Sequence, residues 1–161
     1  MNIELQNSDY VLTPEFIAKD MIEYFKPTGN ILDPCCGKNK VFINNLPPGS
    51  KWCEIMDGVD FFNFNEKVDW IIGNPPYSIF DKWMKHSYDI ADNIVYFLPS
   101  FKIFNALGLF RLYKKQGWIK EIRIYDVGKM VEWGRSRPLI ACHFKKKYIG
   151  DIKCSWYEYN K

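Results

Sequence analysis

A chain of 161 residues, 47% of them apolar, has the length of one ordinary globular domain and enough apolar side chains for a core, so a single domain over residues 1–161 is expected. No uncharged apolar run reaches membrane-spanning length, and the N-terminus MNIELQNSDY has neither the basic nor the apolar region of a signal peptide, so a soluble cytoplasmic protein is expected. The net charge of +3 is mild but unevenly placed: residues 1–110 carry nine Lys/Arg against fourteen Asp/Glu and residues 111–147 eleven against three, a pattern expected of one face approaching phosphates.

The first element is LTPEFIAKDMIEYF, a helix with Thr13 as N-cap, Pro14 in the first turn and Ile17, Met21, Tyr24 and Phe25 on one face. Strand-length apolar runs follow at NILD (30–33), KWCEIM (51–56) and VDWII (68–72). Phe80, Trp83, Met84 and Ser87 then repeat at helical spacing before the strand NIVYFLP (93–99). Ala106, Leu109, Phe110 and Tyr113 mark a further helix, and KEIRIYDV (120–127) and LIACHF (139–144) close the series as strands. Alternating strands and helices predict an α/β fold with a mostly parallel sheet and helices on both faces. The last two strands are about a dozen residues apart, too close for a crossover helix, which predicts an antiparallel last strand. The five cysteines are odd in number and lack a paired CxxC spacing, so they read as reduced thiols and no metal site is expected. His86 and His143 fit no catalytic pattern and read as structural.

In open α/β sheets ligands bind beyond the carboxyl ends of the strands. DPCCGKNK follows the first strand, EIMD ends the second, VDFF comes just after, and GNPPYS ends VDWII, so four polar clusters share one rim. The two prolines of GNPPYS fix φ and remove two N–H donors, leaving carbonyl acceptors without competing donors. Asn74 adds a side-chain carbonyl and Tyr77 a flat ring. This suits a planar group bearing an exocyclic NH₂, whose lone pair is delocalised into its ring. If the Asn74 amide oxygen and the Pro75 carbonyl each accept one of its hydrogens, the nitrogen moves towards tetrahedral geometry and its lone pair is freed. The same two dipoles stabilise positive charge developing there.

With Thr13-Pro14, Asp33-Pro34-Cys35-Cys36-Gly37, Glu54, Asp60-Phe61 and Asn74-Pro75-Pro76-Tyr77 in this order, the chain resembles the S-adenosylmethionine-dependent N6-adenine methyltransferases of restriction-modification systems over roughly residues 10–147. The resemblance implies a Rossmann-like class I methyltransferase fold, S-adenosylmethionine as cofactor and adenine in DNA as target. It places Thr13 and Pro14, the family's Thr-Pro motif, among the cofactor-binding residues, and the loop Asp33, Pro34, Cys35, Cys36 and Gly37 around the methionine part of the cofactor. Glu54 is expected at the ribose hydroxyls, Ile55, Asp60 and Phe61 at the cofactor's adenine, and Phe80 as a further aromatic contact. Asn74, Pro75, Pro76 and Tyr77 are expected to act on the target, with Trp133 stacking on the extruded base and Arg135 and Arg137 neutralising phosphates. The chain departs from the family where a second loop glycine is replaced by Asn39, a residue that tolerates positive φ, and where the interval from Glu54 to Asp60 is too short for a helix and is expected to be a loop. It lacks a segment resembling a target-recognition domain, so a homodimer, a separate specificity subunit or a relaxed substrate choice is expected. Rival readings are N6-adenine methylation of RNA, methylation of a protein glutamine amide, and an inactive cofactor-binding subunit.

Overall fold

NIVYFLP is apolar along most of its length because both its faces are covered. The computed structural model describes residues 9, 11–125 and 138–158, and there this run lies in strand β4 (Ala91–Pro99). Ile94, Tyr96 and Leu98 enter one core cluster, while the alternate residues Val95 and Phe97 enter a second on the opposite face. Helix α1 (Glu15–Phe25) covers the second with Ile17, Ala18, Met21 and Phe25. Helices α2 (Phe80–Ile90) and α3 (Leu107–Gln116) cover the first with Phe80, Trp83, Met84, Tyr88, Leu109 and Tyr113.

The remaining strands are β1 (Ile31–Asp33), β2 (Lys51–Trp52), β3 (Val68–Gly73), β5 (Ile119–Tyr125), β6 (Leu139–Lys145) and β7 (Lys153–Tyr157). They form one sheet in the order β2-β1-β3-β4-β6-β5-β7. The four strands from β2 to β4 run parallel, and β6 is the predicted antiparallel strand, inserted between β4 and β5. From β1 the chain builds outward to β2 and then back to β3 on the other side. The point where strand order reverses therefore falls between β1 and β3, the crevice where such sheets take ligands.

Several expectations need correction. Pro14, not Thr13, stands at the N-cap of α1, its carbonyl accepting from the N–H groups of Ile17 and Ala18 at 3.1 and 3.3 Å; no side chain caps this end, and Thr13 is buried one residue earlier. The second strand is only two residues long, because Glu54 and Asp60 cap 3-10 turns at Ile55–Asp57 and Phe61–Asn63 in place of further strand or helix. Phe110 leaves the buried stripe of α3 and is 44% exposed. β7 pairs parallel with β5 at the sheet edge and has no clear sequence signal, since three of its five residues are exposed and none is buried.

One ionic cluster ties α1 to this end of the sheet. The Asp20 carboxylate accepts from Arg123 Nε and Nη2 at 2.7 and 2.8 Å and from the Tyr125 hydroxyl at 2.6 Å, while the Arg123 guanidinium lies 4.0 Å from the Tyr24 ring centroid. Arg123, part of the basic segment in the sequence, is thus held by the fold. Among the described residues no helix is long and apolar enough to cross a membrane.

Candidate functional site

The β1 strand ends at Asp33, which is fully buried. Its Oδ1 accepts from the Cys35 N–H at 3.3 Å, whereas Oδ2 has no partner. Burial in this apolar setting, with the Glu54 charge also acting, pushes the Asp33 carboxyl up to about 7. The chain can leave β1 and β3 side by side because residue 73 is glycine: a Cβ there would lie 3.1 Å from Pro34 Cδ and 3.2 Å from Asp33 Oδ1. After Pro34 the backbone turns at Gly37, φ 62°, whose N–H donates to Glu54 Oε2 at 2.7 Å. Asn39 does not take positive φ; the second left-handed residue of this loop is Lys40, φ 49°. The loop thus completes its turn without a left-handed residue at position 39.

Glu54 and Asp60 are fixed by the turns they cap. Glu54 Oε1 accepts from the Met56 N–H at 3.1 Å, and Asp60 Oδ1 accepts from the Phe62 N–H at 3.0 Å. Beside them Phe61 packs on Trp83 with ring centroids 4.4 Å apart, and the Trp83 indole N–H donates to the Tyr96 hydroxyl at 3.0 Å. That hydroxyl also bonds Ser87, so the aromatic wall is anchored in the core.

GNPPYS passes directly from β3 into a short 3-10 turn, Tyr77–Ile79. The Asn74 amide nitrogen donates to the Val11 carbonyl at 3.0 Å, and its Oδ1 accepts from the Tyr77 hydroxyl at 2.7 Å. Both ends of the amide are therefore assigned, and one lone pair of Oδ1 remains for another donor. The Cys35 thiol donates to the Asn74 main-chain carbonyl at 3.0 Å, which joins the two loops. Burial holds the Cys35 thiol well above its ordinary range and Cys36 at about 12, and it raises Tyr77 as well, so all three stay protonated at neutral pH. The segment before α1 closes over the turn: the Asp9 carboxylate accepts from the Ser78 N–H and hydroxyl at 2.9 and 2.5 Å.

These loops surround a cavity of about 450 Å³, within the range of small-molecule sites. Of the residues expected at a cofactor, Thr13, Pro34, Cys35, Gly37, Glu54, Ile55, Asp60 and Phe61 line it, and so do Asn74 and Pro76 of the expected target site. Pro14, Asp33, Phe80, Pro75 and Tyr77 do not. Phe80 is 2% exposed and packs towards Tyr96 in the core; Trp83, one turn further along α2, faces the cavity instead. Trp133, Arg135 and Arg137 lie outside the described residues. The sequence reading missed Asp9, Val11 and Trp83; only Trp83 carried a local signal, being on the same helical stripe as Phe80.

Among the described residues, the lining acids Asp9, Glu54 and Asp60 outnumber the lining cation Lys38. With a flat aromatic wall beside two fixed carboxylates, the site fits a ligand that carries hydroxyls and a planar ring.

No protein-family model and no curated protein matches the sequence. Solved structures do match. A protein of Listeria monocytogenes assigned to the class I S-adenosylmethionine-dependent methyltransferases is 12% identical, with a TM-score of 0.66 over 95% of this chain and 67% of that one. The methyltransferase subunit of a type I restriction-modification system from Streptococcus thermophilus is 14% identical, with a TM-score of 0.66 over 94% of this chain and 49% of that one. The fold is that of a class I methyltransferase. A protein of Pyrococcus horikoshii assigned as an RNA methyltransferase shares this fold at 12% identity and a TM-score of 0.55, covering 84% of this chain and 86% of that one. The chain spans about half the length of the restriction-modification subunit. In this methyltransferase fold the cavity lies across the β1–β3 crevice, bounded by the loops that leave β1, β2 and β3.

Proposed function

We propose that the chain transfers a methyl group from S-adenosylmethionine to the N6 amino group of adenine in DNA. The observation that carries this reading is the oriented Asn74 amide, whose oxygen is presented as an acceptor in the wall of the cavity that Glu54 and Asp60 also line. Glu54 and Asp60 would hold the ribose and adenine of the cofactor, beside the wall formed by Phe61 and Trp83. When bound, the cofactor supplies a methyl group on a positively charged sulfur. Asn74 Oδ1 would accept a hydrogen of the target amine, which would localise its lone pair; the nitrogen would form the new N–C bond as the S–CH3 bond breaks and the neutral thioether leaves, and the extra proton would pass to water. Tyr77 holds Asn74 Oδ1 in place by its hydroxyl. Trp133, Arg135 and Arg137 complete the reading as contacts to the extruded base and its phosphates.

The test is incubation with labelled cofactor and DNA, RNA and protein substrates, followed by identification of the methylated atom. Label at adenine N6 of DNA is the expected result, and Asn74→Ala should lower its rate on the order of a hundredfold or more while leaving cofactor binding intact. Full activity in Asn74→Ala would refute the acceptor role. Adenine of RNA is the second reading, favoured by the RNA methyltransferase assignment of the neighbour that matches this chain in length.

A further inference from the structure

Beyond β4 the chain forms a 3-10 turn, Ser100–Ile103, before α3. This region departs from ordinary surface composition in two ways. Large apolar side chains point outward: Phe104 is 51% exposed, Leu107 75% and Phe110 44%. From Asn93 to Lys120 there is also no Asp or Glu, while Lys102, Arg111, Lys114, Lys115 and Lys120 are basic. The exposed rings of Phe104 and Phe110 lie with centroids 6.3 Å apart, and Phe110 continues to the half-buried Trp118 at 5.2 Å. Leu107, Phe110, Arg111 and Lys114 share one face of α3 by their spacing.

The row is joined to the candidate target turn. Lys102 Nζ donates to the Tyr77 carbonyl at 3.1 Å and lies 5.6 Å from the Phe101 ring centroid. Lysines in the last turn of α3 complement its dipole, which accounts for Lys114 and Lys115. It accounts neither for Arg111 and Lys102 nor for the exposed rings. Rings interleaved with cations, in a segment whose own sequence carries no acid, match a polyanion with stackable planar groups, the chemistry of unpaired nucleotides.

We infer that Phe101, Lys102, Phe104, Phe110, Arg111 and Lys114 bind a single-stranded DNA segment flanking the target adenine, bases on the rings and phosphates on the cations. The inference deepens the adenine-methyltransferase reading and rests on it for the target. Two bases on Phe104 and Phe110 fit the spacing of the rings, and Lys102 holds the track against the Asn74–Tyr77 turn.

The test uses fluorescence anisotropy with labelled dT12, which contains no adenine and so reads the surface apart from the reaction. Phe104→Ala with Phe110→Ala should weaken dT12 binding on the order of thirtyfold, the low end for losing two stacking platforms. Arg111→Gln with Lys114→Gln should reduce the slope of log affinity against log salt by about 1.4. Both pairs are exposed, and their melting temperatures are expected to match wild type, which thermal melts check. The inference is overturned if wild type fails to bind dT12 at low salt, if both double variants bind like wild type, or if rU12 binds more tightly than dT12. It is equally overturned if the variants lose binding only to anionic phosphatidylserine vesicles. If the surface binds dT12 as expected but no adenine strand is methylated, the surface stands and the proposed reaction falls.

Discussion

Asp33→Asn separates the cost of the site to folding from its use. In the native chain the carboxyl is carried from 3.8 to about 7 by burial. At 1.36 kcal/mol per pH unit, holding it ionised inside the fold costs about 4 kcal/mol. Below pH 3.8 both folded and unfolded chains are protonated there and the penalty is absent. Between 3.8 and about 7 the unfolded chain releases the proton while the native one keeps it, so stability falls as pH rises, reaching its full loss above pH 7. Asparagine removes the charge and keeps an acceptor for the Cys35 N–H, but its NH₂ replaces the unpartnered Oδ2 and leaves a buried donor unsatisfied, costing about 1–3 kcal/mol. The ligand-free variant at pH 8 should therefore be about 1–3 kcal/mol more stable than wild type, roughly 2–4 °C in Tm for each kcal/mol. Between pH 5 and 8 its stability should be flatter with pH. Asp33 does not line the cavity, so binding of S-adenosylmethionine should be unchanged in the variant. Urea melts across this pH range and calorimetric titration at pH 8 read both effects. A variant less stable than wild type at pH 8, or one with the wild-type pH profile, refutes the reasoning.

Asp60→Ala removes a carboxylate whose Oδ1 is held by the Phe62 N–H; calorimetric titration with the demethylated cofactor should show a loss of about tenfold or more, the value of a hydrogen bond to a charged group. Tyr77→Phe keeps the ring but deletes the donor to Asn74 Oδ1, so methyl transfer should slow roughly fivefold with cofactor affinity unchanged; an equal loss of both would move Tyr77 into cofactor binding. Gly117→Ala would place a Cβ 2.2 Å from the Lys145 carbonyl and 2.6 Å from the Lys147 nitrogen at φ 149°, and the backbone must shift. A loss of about 2 kcal/mol or more is expected in thermal melts. Gly108→Ala, within α3 and with nothing near its Cβ, should instead be neutral or slightly stabilising by the same measurement.

The main strands were legible because burial on both faces writes itself as unbroken apolar runs, as in NIVYFLP. β2, expected over 51–56, is two residues long, and β7 carried no signal at all, because edge strands bury little and their sequences carry no such constraint. The rim was legible for a different reason: GNPPYS and DPCCGKNK each hold their polar groups within a few residues of a strand end, and topology then brings those ends together. What orients the groups is not local. Asn74 is set by the Val11 carbonyl, 63 residues away in sequence, and the choice of Trp83 over Phe80 at the cavity depends on the rotation of α2 against the sheet. The Asn39 position carries the same lesson in reverse. A missing second glycine looks like a defect only if residue 39 must be left-handed, and in this loop the left-handed turns fall at Gly37 and Lys40. With Gly37 N–H bound to Glu54, the first turn is tied to the end of β2, so any weakness of cofactor binding should follow substitution of Glu54 rather than the restoration of glycine at 39.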